Sequence, residues 1–505
     1  MSLLNDWLNQ SAAANGNACA VEHRDAYLSW RGLLHRVQRR ALELSGMGIG
    51  PGDWVGMQLG NVPDLVILTL ALEKLGAIAA FIDPTLPQWE CSRIHHITPL
   101  RALITRPLGD PFPSPPSSER RGTNAPFALR IGETARTTAH PPTPFARPRL
   151  SGTLLTCNLY RCEPVVPEPC AGELTVAHYT LEAGGDPKAV LRGPEHLRAV
   201  AKTLVEGLNL EAGQSAMITA PLYRGFGFDL AIVAALSGQL TMLLEEKMSA
   251  RTLESAAKIP NLAFVAATPS MFRDLSHAHV PTTYSGRALR LLCPHEPDSE
   301  RVLRTFSRTW KTPVQTLLYD PECGPVTLER SGRKPEQVGQ PLPDVGTQIR
   351  SVEGSVLPPG VRGQLWVRSA AASTVSVPRL PSPLRAIGSA GVPIGRSDKA
   401  GWLRTGAIGQ LNADAHLTMF GREDDLVDID GQRVALGEVE SCLETFSDVQ
   451  EAEVHVTWNE LAGPIVVARV VCGKRPSAET LLNHCARNLA PHKVPREIVF
   501  CENLD

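Results

Sequence analysis

The chain has 505 residues. Single hydrophobic cores stop growing near roughly 250–300 residues, so at least two domains follow. A hydrophobic share of 43%, a charged share of 20% and a net charge of −2 exclude an electrostatic grip on nucleic acid or an anionic membrane, so partners must be read by shape and local chemistry. Eleven cysteines at irregular spacing, without a CxxC pair, resemble neither a disulfide framework nor a zinc site.

The opening MSLLNDWLNQ has no basic segment followed by an apolar run. The longest apolar stretch, VILTLALEKLGAIAAF, is broken by Glu73 and Lys74. A cytoplasmic protein is expected. Over residues 25–100 strand and helix alternate: WVGMQL reads as a buried strand, Pro63 to Gly76 as a helix opened by proline and closed by glycine, and AIAAFIDP as the next strand. That order predicts a parallel sheet with crossover helices. From about 106 to 170 the composition turns to Pro, Arg, Ser and Thr, too polar to order a core, and a long surface excursion is expected. Helix and strand signals return at 171–330. Residues 338–420, with runs such as GQLWVRS, predict twisted antiparallel sheet, and from 421 the helical GEVESCLETF with strand-like AEVHVTW and GPIVVARVVC predicts a small α+β domain.

Four blocks, in order, resemble the adenylate-forming (acyl-CoA synthetase-like) superfamily: GIGPGDWVGMQLGNVPDLVILTLALEKLGAIAAFIDPTLP, VGQPLPDVGTQIRSVEGSVLPPGVRGQLWVR, GWLRTGAIGQLNADAHLTMFGREDDLVDIDGQRVALGEVE and LAPHKVPREIVF. The resemblance implies an α/β fold. A large N-terminal domain of layered α/β subdomains, residues 1–420, would be followed by a small mobile α+β domain, 421–505, with a hinge at Asp424 and Asp425. It also implies adenylation of a carboxylate with ATP and magnesium, then transfer to a pantetheine thiol.

Against that pattern the ATP-handling positions depart. The family's phosphate loop, Tyr-Thr-Ser-Gly-Thr-Thr-Gly-x-Pro-Lys, is here Tyr179 to Lys188, with Leu181, Ala183 and Gly184 in place of hydroxyls and with Glu182 where triphosphate would lie. Two like charges 4 Å apart repel by about 4 kcal/mol at an effective dielectric of 20. In the family's Tyr-Gly-x-Thr-Glu the register reads Tyr319-Asp320-Pro321-Glu322-Cys323, so a thiol replaces the magnesium carboxylate, although Glu322 or Asp320 could substitute. Cys293-Pro294-His295-Glu296 replaces a Gly-rich turn beside the adenine, and Ala407 replaces the ribose-binding Asp. The family's C-terminal Gly-Lys pair would follow Asp505, so its catalytic lysine is expected to be missing. Removing one such contact costs about 2.7–4 kcal/mol of transition-state stabilisation.

The lid edge is retained in Gly421, Arg422, Asp424, Asp425, Gly431, Arg433 and Glu438, with Asp428 replacing a lysine. In the family this edge carries the hinge and the wall of the pantetheine tunnel. Arg422, Asp424, Asp425, Gly431 and Arg433 are therefore the coenzyme A and hinge candidates. Tyr223, Arg224, Phe226, Gly227 and Tyr319 are the acyl-pocket candidates, with core packing the alternative for the aromatics. His178, His295 and Cys323 are the catalytic candidates, as bases for a thiol or as the thiol itself. Glu182, Lys188 and Ala407 mark the degenerate nucleotide site.

The expected function is transfer of an acyl, most simply aryl, group from acyl-CoA to the phosphopantetheine thiol of a holo acyl carrier protein, without ATP, magnesium or any metal. Direct transfer is favoured over a covalent stop on Cys323. The pattern of losses is similar to that of a degenerate branch of the family that primes a polyketide synthase with an anthraniloyl group in aurachin biosynthesis. An ATP-dependent aryl- or acyl-CoA ligase with a divergent site and a non-catalytic thioester-binding protein are the alternatives.

Overall fold

In the computed structural model the described residues are 2–105, 149–154, 157–161, 174–181, 187–373 and 397–501, apart from gaps at 25, 87, 99, 282–283, 285–288, 297–298, 334–336, 424–425, 430–431, 460–461 and 474–475. Two large sheets organise the body. One has seven strands, ordered Arg149–Leu154, Cys157–Arg161, Leu100–Thr105, Trp54–Gln58, Ile78–Phe81, Val176–Leu181 and Pro187–Arg192. The other has nine, with Ser215–Ile218, Thr241–Leu244 and Leu262–Ala266 parallel at its centre and Val314–Asp320 antiparallel to Gly324–Glu329 towards one edge.

The expected crossover is present. Trp54–Gln58 runs parallel to Ile78–Phe81, joined by the helix Pro63–Lys74, which has Pro63 in its first turn. Gly76, at φ +70°, turns the chain back into the strand, a conformation that costs other residues strain. Most of that helix is buried, and Glu73, which interrupts its apolar run, has a structural task. Its carboxylate accepts hydrogen bonds from the backbone N–H of Leu4 (2.7 Å) and Asn5 (2.9 Å) and from the Asn5 amide (2.7 Å), clamping the N-terminal helix Leu3–Asn15 to the core. A buried carboxylate is tolerated when its lone pairs are met in this way.

The predicted twisted sheet is four antiparallel strands, Gly346–Arg350, Gly363–Arg368, Leu403–Leu411 and Leu417–Arg422. The last segment forms the hairpin Leu426–Ile429 with Gln432–Ala435, then a three-stranded sheet carrying the helices Leu436–Glu444 and Ala478–Asn488 around its own core. One expectation changes. Within the stretch read as a surface excursion, Arg149–Leu154 and Cys157–Arg161 form a hairpin that extends the seven-stranded sheet through Leu100–Thr105. The alternating LYR and LSG segments satisfy a strand period that the surrounding prolines mask. Residues 106–148 lie outside the described ones. No helix among the described residues is long and apolar enough to cross a membrane.

Candidate active site

Two cavities meet at His295. The first, of 230 Å³, is walled by Phe81, His178, Tyr223, Arg224, Phe226 and Tyr319 from the body and by Gln432, His492 and Lys493 from the last segment. Four of the five acyl-pocket candidates are thus brought together as side chains on one wall, and Gly227 joins them as backbone. Phe228 is fully buried and packs behind that wall, its ring 5.0 Å from both His178 and Phe81. At Gly227 an added Cβ would run into the Pro221 carbonyl, with Ala220 O at 2.9 Å. We expect Gly227→Ala to cost about 1–3 kcal/mol by forcing the backbone apart. The checks are thermal melting and calorimetric binding of an aryl acid; a variant that matches the parent in both would show that the close approach is dispensable.

Of the polar end of this cavity the sequence singled out Arg224 but not its partners. Arg224 pairs with Asp83 at 3.4 Å, Gln432 donates to the same carboxylate at 3.1 Å, and Arg224 lies 5.8 Å from the Tyr223 ring centroid. Burial, with Asp83 alongside, pushes the Tyr223 hydroxyl up to about 12, so it stays protonated. Lys493 is 1% exposed and sits between Glu90 (2.6 Å) and Glu438 (3.0 Å), while Arg93 holds Glu438 at 2.8 Å. Burial, then Lys493 and Arg224, lower His492 to about 3, which leaves it neutral. Lys493 lies inside one of the resemblance blocks, which was the signal available. Its partners, one of them 403 residues away, were not signalled.

Tyr319 closes the inner wall through a buried network. Arg192 donates to both oxygens of Asp229 (3.0 and 2.8 Å) and to the Tyr319 hydroxyl (3.1 Å), which itself donates to Asp229 at 2.8 Å. Burial opposes the Arg192 charge, but Asp229 and Tyr319 outweigh it and raise its pKa. Asp229 opens the π-helical turn Asp229–Val233, a local widening of helix that recurs at functional sites.

The second cavity, of 780 Å³, is lined by Ala407, Gly421 and Arg422 from the twisted sheet, by Asp320, and by Arg301, Arg304 and Arg308 from the helix Ser299–Trp310. Arg422 donates to the Thr405 carbonyl at 3.0 Å. The three arginines are spaced by three and four residues, which sets them on one face. SERVLRTFSRTW carried that pattern in plain view.

His295 lines both cavities, and burial lowers it to about 4, so it is neutral at physiological pH. His178 lines only the first. Cys323 lines neither cavity and is fully buried. Burial, then Asp320 and Glu322, raise its thiol well above the ordinary range, and its backbone N–H donates to Asp320 at 3.0 Å. It therefore faces neither cavity, and a protonated thiol there is a poor nucleophile. Lys188 pairs with Glu322 at 2.9 Å, so the carboxylate that could have replaced the missing one is neutralised. Arg433 lies on the strand Gln432–Ala435, opposite Asp428. Glu182, Asp424, Asp425 and Gly431 lie outside the described residues.

Compared with known proteins, residues 8–375 match the model of the AMP-binding enzyme family and residues 438–505 that of the AMP-binding enzyme C-terminal domain. The chain belongs to the AMP-binding enzyme family. Among its relatives, the indoleacetate–CoA ligase of Aromatoleum aromaticum is 24% identical over 99% of this chain and 94% of its own. The structure of the amide bond synthetase McbA from Marinactinospora thermotolerans superposes with a TM-score of 0.75 at 22% identity, covering 99% of this chain and 96% of that one. A malonyl-CoA ligase in a product complex with methylmalonyl-CoA and AMP superposes with a TM-score of 0.72 at 19% identity, covering 97% of each.

For an AMP-binding enzyme the expectation that neither ATP nor magnesium takes part has to be corrected. The family is named for nucleotide binding, and the body has an open cleft lined in part by arginines beside the first cavity. Acyl-group activation is thus represented among the relatives of this AMP-binding enzyme, and the amide bond synthetase shares its fold.

Proposed function

We propose that this enzyme forms acyl thioesters, seating an aryl or similarly flat apolar acyl group in the 230 Å³ cavity and passing it to the thiol of a phosphopantetheine arm, on coenzyme A or on an acyl carrier protein. The observation that carries the reading is the shared wall of that cavity. The body supplies an apolar, aromatic surface suited to the acyl group, and Gln432 and His492 of the last segment face it, where a thiol arm between the two parts would end. Such a geometry holds acyl carbon and thiol at one point, which is the main requirement of a transfer between similar leaving groups.

His295, at the junction of the cavities, is the group beside the reacting carbonyl. As a neutral imidazole it accepts the S–H proton while sulfur bonds to the acyl carbon, and it returns the proton to the departing oxygen or sulfur. The phosphates of ATP would lie along the arginine face of the second cavity, where Arg304 already pairs with Glu300 at 2.9 Å, and a magnesium ion carried by them would be held by Asp320, since such ions need only one or two protein carboxylates. The carrier protein as acceptor and anthraniloyl as the acyl group are the specific forms of this reading drawn from the motif pattern.

The test supplies a panel of aryl acids, 2-aminobenzoate among them, with ATP, magnesium and either coenzyme A or a holo carrier protein. A parallel arm supplies preformed aryl-CoA thioesters with the carrier. Mass spectrometry should show an acyl mass added to coenzyme A or carrier in at least one donor arm. Unmodified thiols in every arm would overturn the reading.

A further inference from the structure

His178 is a polar residue where a hydrophobic one would serve the fold. It lies on the strand Val176–Leu181, opposite Phe81 on one side and Val190 on the other, and is 5% exposed. Its ring stacks on Phe81 (centroids 4.8 Å, planes 12° apart) and meets the edge of Phe228 at 5.0 Å. Those contacts fix the plane of the imidazole, and a phenyl ring would make them equally well. Neither ring nitrogen has a hydrogen-bond partner among the described residues. Leaving a buried polar group unmet is unfavourable, and native structures rarely do so twice on one side chain without a reason. The reason suggested by its position is that His178 forms part of the wall of the acyl cavity.

We infer that His178 is a specificity-determining residue, which selects an aryl acyl group carrying a neutral hydrogen-bonding substituent, an amino or hydroxyl group, over the unsubstituted ring. A neutral imidazole offers one N–H donor and one acceptor nitrogen, so it can serve either substituent. Burial, and then the positive charge of Arg192, hold His178 in its neutral form. The same two features count against a cationic substituent: burial penalises its charge, and Arg192, although paired with Asp229, opposes it. The remaining wall, with Phe226 and Tyr319 in edge-to-face contact at 5.9 Å, favours a flat ring.

This inference rests on the acyl cavity proposed above, so the test separates the two. Benzoate and its mono-amino and mono-hydroxy isomers are compared in the full-length enzyme by calorimetric binding and, separately, by thioester formation. His178→Phe keeps the aromatic contacts and removes both nitrogens; His178→Gln restores a donor and an acceptor. The parent should bind at least one substituted isomer about tenfold or more tightly than benzoate, since a lost hydrogen bond at a buried site is worth that much. In His178→Phe that ratio should fall close to one, with partial recovery in His178→Gln. A ratio unchanged in folded His178→Phe, or no preference among isomers in the parent, overturns the inference. Binding selectivity that depends on His178 without any thioester formed would support it while sinking the proposed reaction.

Discussion

Lys493→Met is expected to lower stability by about 3–5 kcal/mol, the usual cost of removing one partner from a buried ion pair. Methionine fills similar space, so the loss is one of charge. Glu90 and Glu438 would face each other, with Arg93, which pairs with Glu438, left to compensate. Because Lys493 and Glu438 belong to the last segment and Glu90 and Arg93 to the helix Gln88–Ile97, the loss should fall on the docking of that segment. Urea unfolding would report the total, and limited proteolysis would report whether the segment is released first. Adding Glu90→Gln to Lys493→Met removes one of the stranded charges and should recover part of the loss. A single variant within about 1 kcal/mol of the parent would mean that the cluster contributes nothing net, as some buried pairs do.

Arg192→Met should have an effect of similar size, about 3–5 kcal/mol, for a related reason. Asp229 would remain fully buried with only the Tyr319 hydroxyl as donor. Here the consequence is local to the inner wall: Tyr319 loses the Arg192 N–H that positions its hydroxyl, and the Pro321 carbonyl loses a donor at 3.1 Å. The informative comparison is the double variant Arg192→Met with Asp229→Leu. Replacing both members by apolar residues removes the stranded carboxylate, and denaturation should show most of the stability restored. If the two substitutions simply add, the pair is not the unit that the geometry describes.

What could be read from the sequence was what is local or shared by pattern. Pro63, Gly76 and the alternation between them specified strand, helix and strand because caps and turns act within a few residues. The antiparallel 346–422 sheet announced itself through short β-like runs between glycines and prolines in the same way. Tyr223, Arg224 and Phe226 line one cavity because one short segment carries them all. Contacts across the chain were not accessible. Nothing near Arg192 names Asp229 as its partner, and nothing near Glu90 points to Lys493. Cys323 shows the opposite error: its register in a motif suggested a face, but whether a side chain at that register points into a cavity or into the core depends on packing around it. The correction on nucleotide binding has the same origin, since a motif reports individual contacts and the size of a cleft is set by the elements around it.

The wall that Gln432, His492 and Lys493 add to the first cavity has a consequence for biogenesis. Glu90 and Lys493 are separated by 403 residues, so the chain must carry an open apolar pocket and a carboxylate without its cation through most of its synthesis. Contacts that distant form slowly and late. During that interval the exposed pocket is a surface on which chains can associate wrongly, as large multidomain proteins tend to do. Substitutions at the docking cluster should therefore reduce the yield of native protein in cells more than they reduce the activity of the molecules that finish folding.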